Sequence, residues 1–245
     1  MPSVSEYRLF ELIQAAIDAN PLNGRLWILL GGMQRLMGDS VRELECFQKA
    51  VEIDYGRDSW IELAKALQDA GTEESRNAID TAVRLCAARI LFCGCASDYI
   101  ALGQAMNMKG DVYESVEAFK IATQKDESQE RAWYHLGRIY LSHGEIDLAI
   151  PALLKAVSLE KHCVHSLCAL TQAYRQKGNM DSATKFAKEC LKLDKNCGGS
   201  WEVLVAWLKK EGKAKELKET IKTLERVSQN SKNINLLFSL GCIFA

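Results

Sequence analysis

Residues 133–161 read WYHLGRIYLSHGEIDLAIPALLKAVSLEK, and this stretch decides the fold. Trp133, Leu136, Gly137 and Tyr140 fall at i, i+3, i+4 and i+7, one face of a helix. Ala149, Leu153 and Ala156 mark one face of a second helix. Gly144, between them, lets the chain take a conformation that a residue with a Cβ resists, which suits a tight helix–helix turn. Gly137 and Ala149 are small enough for the two helices to approach closely. One such hairpin leaves its apolar face bare, whereas a stack of them buries it.

The stack is written in the sequence. Gly110, Gly144, Gly178 and Gly212 are each 34 residues apart. Tyr99, Trp133, Leu167 and Trp201 keep step with them, as do Leu102, Leu136, Leu170 and Leu204. So do Phe119, Leu153, Ala187 and Ile221, and Ser115, Ala149, Ala183 and Leu217. Several registers moving together at this period resemble the tetratricopeptide repeat family, whose pattern is W-x2-L-G-x2-Y, a small residue, then A-x3-F-x2-A. The resemblance implies an all-α fold: a right-handed superhelical solenoid of antiparallel helix hairpins.

Working outward, the ruler predicts one array over 1–245. Residues 1–21 read as a half repeat, with Ile13 and Ala16 on the ruler and Pro21 at the closing position. A full repeat follows at 24–57, with Trp27, Leu30, Gly31, Gly38, Phe47 and Ala50, closing at Tyr55. The unit at 58–95 is irregular: Trp60, Leu63, Ala64 and Leu67 fit, Gly71 comes one residue early, and extra residues lie within LCAARILFCGCAS before Tyr99. A lengthened helix and loop are expected there. Regular units follow at 96–129, 130–163, 164–197 and 198–231, then a half repeat at 232–245. Pro151 falls about one turn into its helix, which predicts a slight bend or a late start. Both ends look cut, so the chain is expected to be a piece or short form of a longer array, or to dock its apolar last helix on a partner.

Composition excludes several classes. The net charge of −1 gives no bulk argument for nucleic acid or an anionic membrane. No stretch approaches the roughly 18 apolar residues of a spanning helix, and MPSVSEYRLFEL lacks a signal-peptide layout. Nine scattered cysteines, an odd number, read as a reducing compartment, cytoplasm or nucleus. There is no phosphate-binding glycine loop, no G-x-S-x-G and no H-E-x-x-H, so no enzymatic activity, cofactor or small-molecule substrate is expected. His162, Cys163, His165 and Cys168 are zinc-ligand types, but they straddle a turn with no second pair at metal spacing, so no metal is assigned. Cys93 and Cys95 form C-x-C rather than C-x-x-C, a weak redox signal.

The resemblance also places a site. In that family the first helices line the concave face. Carried across, the candidate partner-binding residues are Arg25, Arg35, Lys65, Gln104, Asn107, Arg131, Tyr134, Arg138, Gln172 and Arg175. Across all the face positions, eight residues are Lys or Arg and three are acidic, which points to an acidic or carboxylate-bearing protein segment. Some family members clamp the C-terminal carboxylate of chaperone tails. The matching positions here are Ile100, Gln104, His135, His165 and Ala169, which do not fit that clamp. The expected function is a scaffold or adaptor subunit binding a partner segment in the groove. The runner-up is a subunit of an RNA-processing or RNA-decay assembly. The basic face supports it, as would Lys209 to Arg226, with seven basic and four acidic residues, although the interspersed acids favour an ion-paired surface.

Overall fold

A computed structural model of the chain describes residues 4–54 and 56–230, with side chains from 8 to 227. The described residues form thirteen helices and no strand. They fall into two compact bodies, dividing between Asp126 and Glu127. The first holds α1 (Val4–Ala19), α2 (Gly24–Met37), α3 (Ser40–Ile53), α4 (Arg57–Asp69), α5 (Glu74–Phe92), α6 (Ala96–Lys109) and α7 (Val112–Lys125). The second holds α8 (Glu130–Ser142), α9 (Ile146–Leu159), α10 (Val164–Gln176), α11 (Met180–Leu193), α12 (Gly198–Lys210) and α13 (Ala214–Asn230). This is an all-α repeat solenoid of helix hairpins. The half repeat expected at 232–245, and Tyr55, lie outside the described residues.

The ruler residues make the hairpins for identifiable reasons. Gly144 closes α8 with φ +77°, and the turn carries two reciprocal bonds: Gly144 N–H to Leu141 C=O at 3.2 Å and Glu145 N–H to Tyr140 C=O at 2.9 Å. This is a Schellman-type stop, which favours glycine because an L side chain is strained there. The same pair of bonds recurs at Gly38, Gly110, Gly178 and Gly212. Gly137 is a steric requirement of a different kind. A Cβ there would stand 2.6 Å from Leu153 and 3.3 Å from the Ala149 carbonyl, so α8 and α9 touch backbone to side chain. Phe47 meets Gly31, and Phe119 meets Gly103, in the same way. The ruler tryptophans also fix the turns between hairpins: Trp27, Trp133 and Trp201 each donate an indole N–H to the carbonyl six residues earlier, at 2.8–3.0 Å.

Within each body, each second helix packs on the first helix of the next hairpin. First helices also touch each other, α2 on α4 on α6, and α8 on α10 on α12, whereas among the described residues the second helices do not. Each body therefore closes on its first-helix side and splays on the other, so the first helices present the inner face.

Three local expectations change. The extra residues before Tyr99 go entirely into α5, of 19 residues; residues 93–95 alone join it to α6, so the loop is not lengthened. Helical propagation absorbs the insertion because each added residue keeps its backbone bond. Around Pro151, α9 does not start late: it begins at Ile146, two residues after Gly144, as α11 begins at Met180 two after Gly178. The donor that proline lacks would have served the carbonyl of Asp147, an exposed residue open to solvent. In α1 the packing pair is Ile13 and Ile17, against Leu30, Met33 and Cys46, with Ala16 only half-buried.

Candidate partner-binding face

The ten candidate residues all lie on first helices: Arg25 and Arg35 on α2, Lys65 on α4, Gln104 and Asn107 on α6, Arg131, Tyr134 and Arg138 on α8, and Gln172 and Arg175 on α10. Within each body, contacts join three of these side chains, Arg35, Tyr134 and Arg175, to the neighbouring first helix. In the first body, Arg35 reaches Glu62 on α4 at 3.3 Å, and Gln68 of α4 bonds the Met108 carbonyl of α6 at 3.4 Å. In the second, the Tyr134 ring meets the His165 ring of α10 edge-on at 6.2 Å, and Arg175 reaches Glu202 on α12 at 3.3 Å. In the first body two inner-face positions are nonetheless core: Ile61 and Ile100 are buried, Ile61 packing against Ala101 and Ala105 where α4 meets α6.

The face is less positive than its residue count implies. Arg35 is held by Glu43 at 2.6 Å as well as by Glu62, and Lys65 pairs with Glu62 at 2.7 Å. Burial alone would lower the Arg35 pKa, but its hydrogen bond to Glu43 and the charges of Glu43, Glu62 and Asp69 raise it above its ordinary value. Arg175 is likewise neutralised by Glu202. That leaves Arg25 in the first body, and Arg131 and Arg138 in the second, as exposed candidate cations with no carboxylate partner among the described residues.

The second body concentrates recognition chemistry. The Arg138 guanidinium lies 5.6 Å from the Tyr134 ring centroid, with Nη1 3.4 Å from the hydroxyl. Tyr134 also packs against His135 at 5.2 Å. Tyr134 is thus held between α8 and α10, with Arg131 one turn before it and Arg138 one turn after. Gln172 is exposed on α10. A ring face beside a guanidinium is in general suited to an apolar group, and arginine to a carboxylate.

Two other clusters carry metal-ligand residue types. No three of His162, Cys163, His165 and Cys168 bring ligand atoms within 4.8 Å of one another. Cys93, Cys95 and Asp98 do. However, Asp98 is fully buried and its carboxylate is already used: Arg57 and Arg89 donate to Oδ1, the latter at 3.0 Å, and the Cys95 backbone N–H donates to Oδ2 at 3.2 Å. The Cys95 thiol is pulled below its usual range, chiefly by the Ser97 hydroxyl. Sequence reasoning missed Asp98. The available signal was its register, for Ala132, Ser166 and Ser200 follow it at intervals of 34 and all are small and buried.

Fold and face together define a helical-repeat protein with a first-helix inner surface. The tetratricopeptide repeat model matches residues 130–163 and 164–197, the α8–α9 and α10–α11 hairpins, so the chain carries tetratricopeptide repeats there. Among solved structures, a chain of the APC/C hetero-tetramer Cut9–Hcn1 is 19% identical with a TM-score of 0.63, over 98% of this chain and 46% of that one. This chain thus spans less than half the length of that neighbour. A thermophilic tetratricopeptide repeat protein of Thermus thermophilus, TTC0263, is 18% identical with a TM-score of 0.56, over 70% of this chain and 92% of the other. No curated protein matches the sequence. No described helix is long and apolar enough to cross a membrane.

Proposed function

We propose that the chain is a non-catalytic scaffold or adaptor that holds an extended, acidic segment of a partner protein on the α8–α10 face. The observation that carries this reading is Tyr134, fixed between His165 and Arg138 beside Arg131, which has no carboxylate partner among the described residues. A face preformed by packed helices loses little conformational entropy on binding, so the main ordering cost falls on the partner. The segment is acidic because Arg131 and Arg138 have no carboxylate partner among the described residues, and Arg can pair a carboxylate with two parallel bonds.

The test is an affinity capture from cell extract with the wild-type chain and an Arg131→Glu/Arg138→Glu variant, with and without ribonuclease. A protein retained by the wild type, lost by the variant and indifferent to ribonuclease is the expected result. Reversing two charges next to a carboxylate is expected to weaken the isolated interaction by about 2–4 kcal/mol, roughly 30- to 1,000-fold. Unchanged capture sinks the charge argument. Capture that ribonuclease abolishes replaces this reading with an RNA assembly.

A further inference from the structure

We propose that Cys197 and Cys168 form a hydroperoxide-responsive thiol pair, in which Cys197 is the attacking thiolate and Cys168 the resolving thiol. The two sulfurs stand 3.4 Å apart although the residues are 29 apart in sequence, because α10 packs on α12 and carries Cys168 to the residue that precedes α12. A disulfide needs about 2.0 Å between sulfurs, a closure within reach of side-chain rotation. Both residues are only partly buried.

The surroundings assign the roles. Cys197 occupies the N-cap position of α12, where the helix dipole favours a negative sulfur, although the sulfur makes no capping bond. The Ser200 hydroxyl lies 3.2 Å from its sulfur. Hydrogen bonding with the Cys168 and Cys190 thiols, in that order, pulls the Cys197 thiol far below its usual range. The same bonds push Cys168 and Cys190 up, so both keep their protons. Asp194, at the end of α11, is the carboxylate that bears on Cys168 and Cys190. Cys190 is fully buried and its thiol lies 3.9 Å from the Val164 carbonyl, so it is the poorer resolving group.

The chemistry balances with a hydroperoxide as the two-electron oxidant. The Cys197 thiolate attacks a peroxide oxygen, the O–O bond breaks, and the departing hydroxide takes a proton to leave as water. The Cys168 sulfur then attacks the sulfenic sulfur of Cys197. The S–O bond breaks, and the leaving hydroxide accepts the Cys168 proton as a second water. Two thiols and one hydrogen peroxide give one disulfide and two waters. The bond ties α10, whose His165 contacts Tyr134 on the face, to the start of α12.

The experiment treats the reduced full-length chain with one equivalent of hydrogen peroxide, blocks remaining thiols, and maps disulfides by peptide mass spectrometry. Cys163 shares a tryptic peptide with Cys168, so the mapping is done in a Cys163→Ser background. The expected product is a Cys168–Cys197 cross-link. Cys190→Ser is expected to keep it. In Cys168→Ser, Cys197 is expected to be trapped as a sulfenic acid by dimedone. That readout is a gain of signal which misfolding would not produce, and Cys168→Ala must give the same result. Alkylation at Cys197 is expected to be nearly flat between about pH 6 and 8, where an ordinary thiol speeds up about tenfold per unit. A bond between Cys190 and Cys197, a bond at another pair, or no cross-link while exposed Cys93 oxidises overturns the assignment.

Discussion

Asp98 shows how much one residue can carry in a repeat. Its register is otherwise filled by Ala132, Ser166 and Ser200, so alanine fits the space. What alanine cannot supply is charge. Arg57 has a side chain only 12% exposed, whereas Arg89 is 57% exposed and keeps its water. Removing the carboxylate therefore leaves Arg57 with only the solvent-exposed Asp58, 3.0 Å from its Nε, in place of a buried partner. Breaking a buried pair from one side costs about 3–5 kcal/mol, and Asp98→Ala is expected to lower unfolding stability by that amount in urea titrations. Replacing Arg57 with methionine in the same chain is expected to return much of the loss, since the largely buried cation is then gone too. If the double variant is no more stable than Asp98→Ala alone, the cost lies in the lost α6 cap rather than in the ion pair.

At the scale of the element, α9 carries a proline that its neighbours lack. Its helix begins in register with the others, so the fold tolerates Pro151 rather than using it to set the start. The side chain is exposed, and alanine there adds no clash. Pro151→Ala restores a donor to the Asp147 carbonyl. Proline costs roughly 3 kcal/mol in a helix interior, while its stiffening of the unfolded chain returns up to roughly 1 kcal/mol. The substitution is expected to stabilise the chain by about 2 kcal/mol, read as a higher urea midpoint at unchanged slope. No change would mean that water at Asp147 already compensates fully. α5 is the opposite case, an element that lengthens without disturbing the hairpin. Its last residues, Leu91 and Phe92, project into solvent, beyond the part that packs on α6.

Across the whole molecule, the sequence made the hairpins legible because their determinants are local and periodic: Gly144 for the stop, Gly137 against Leu153 for the approach, Trp133 for the turn before it. The electrostatics were legible only as a count. Arg35–Glu62 and Arg175–Glu202 each span 27 residues, one repeat less two helical turns, so each pair joins neighbouring first helices that a residue-by-residue tally treats separately. Asp98 was less accessible still, because Arg57 lies 41 residues before it and Arg89 sits in the insertion, outside any register. This internal pairing has a measurable consequence for the RNA alternative. On the second body's inner face, the exposed cations with no carboxylate partner among the described residues reduce to Arg131, Arg138 and Lys210. Single-stranded nucleic acid loses affinity with a log–log salt slope of about 0.7 per neutralised phosphate, so a three-cation face is limited to a slope of about −2. Binding of a fluorescent single-stranded RNA between about 50 and 200 mM salt is expected to be weak and no steeper than that, and Arg131→Glu/Arg138→Glu is expected to remove most of the slope. A slope of about −4 or steeper, unaffected by those two substitutions, would place RNA on another surface. The lysines of α13, at 215, 218 and 222, would then become the residues to reverse.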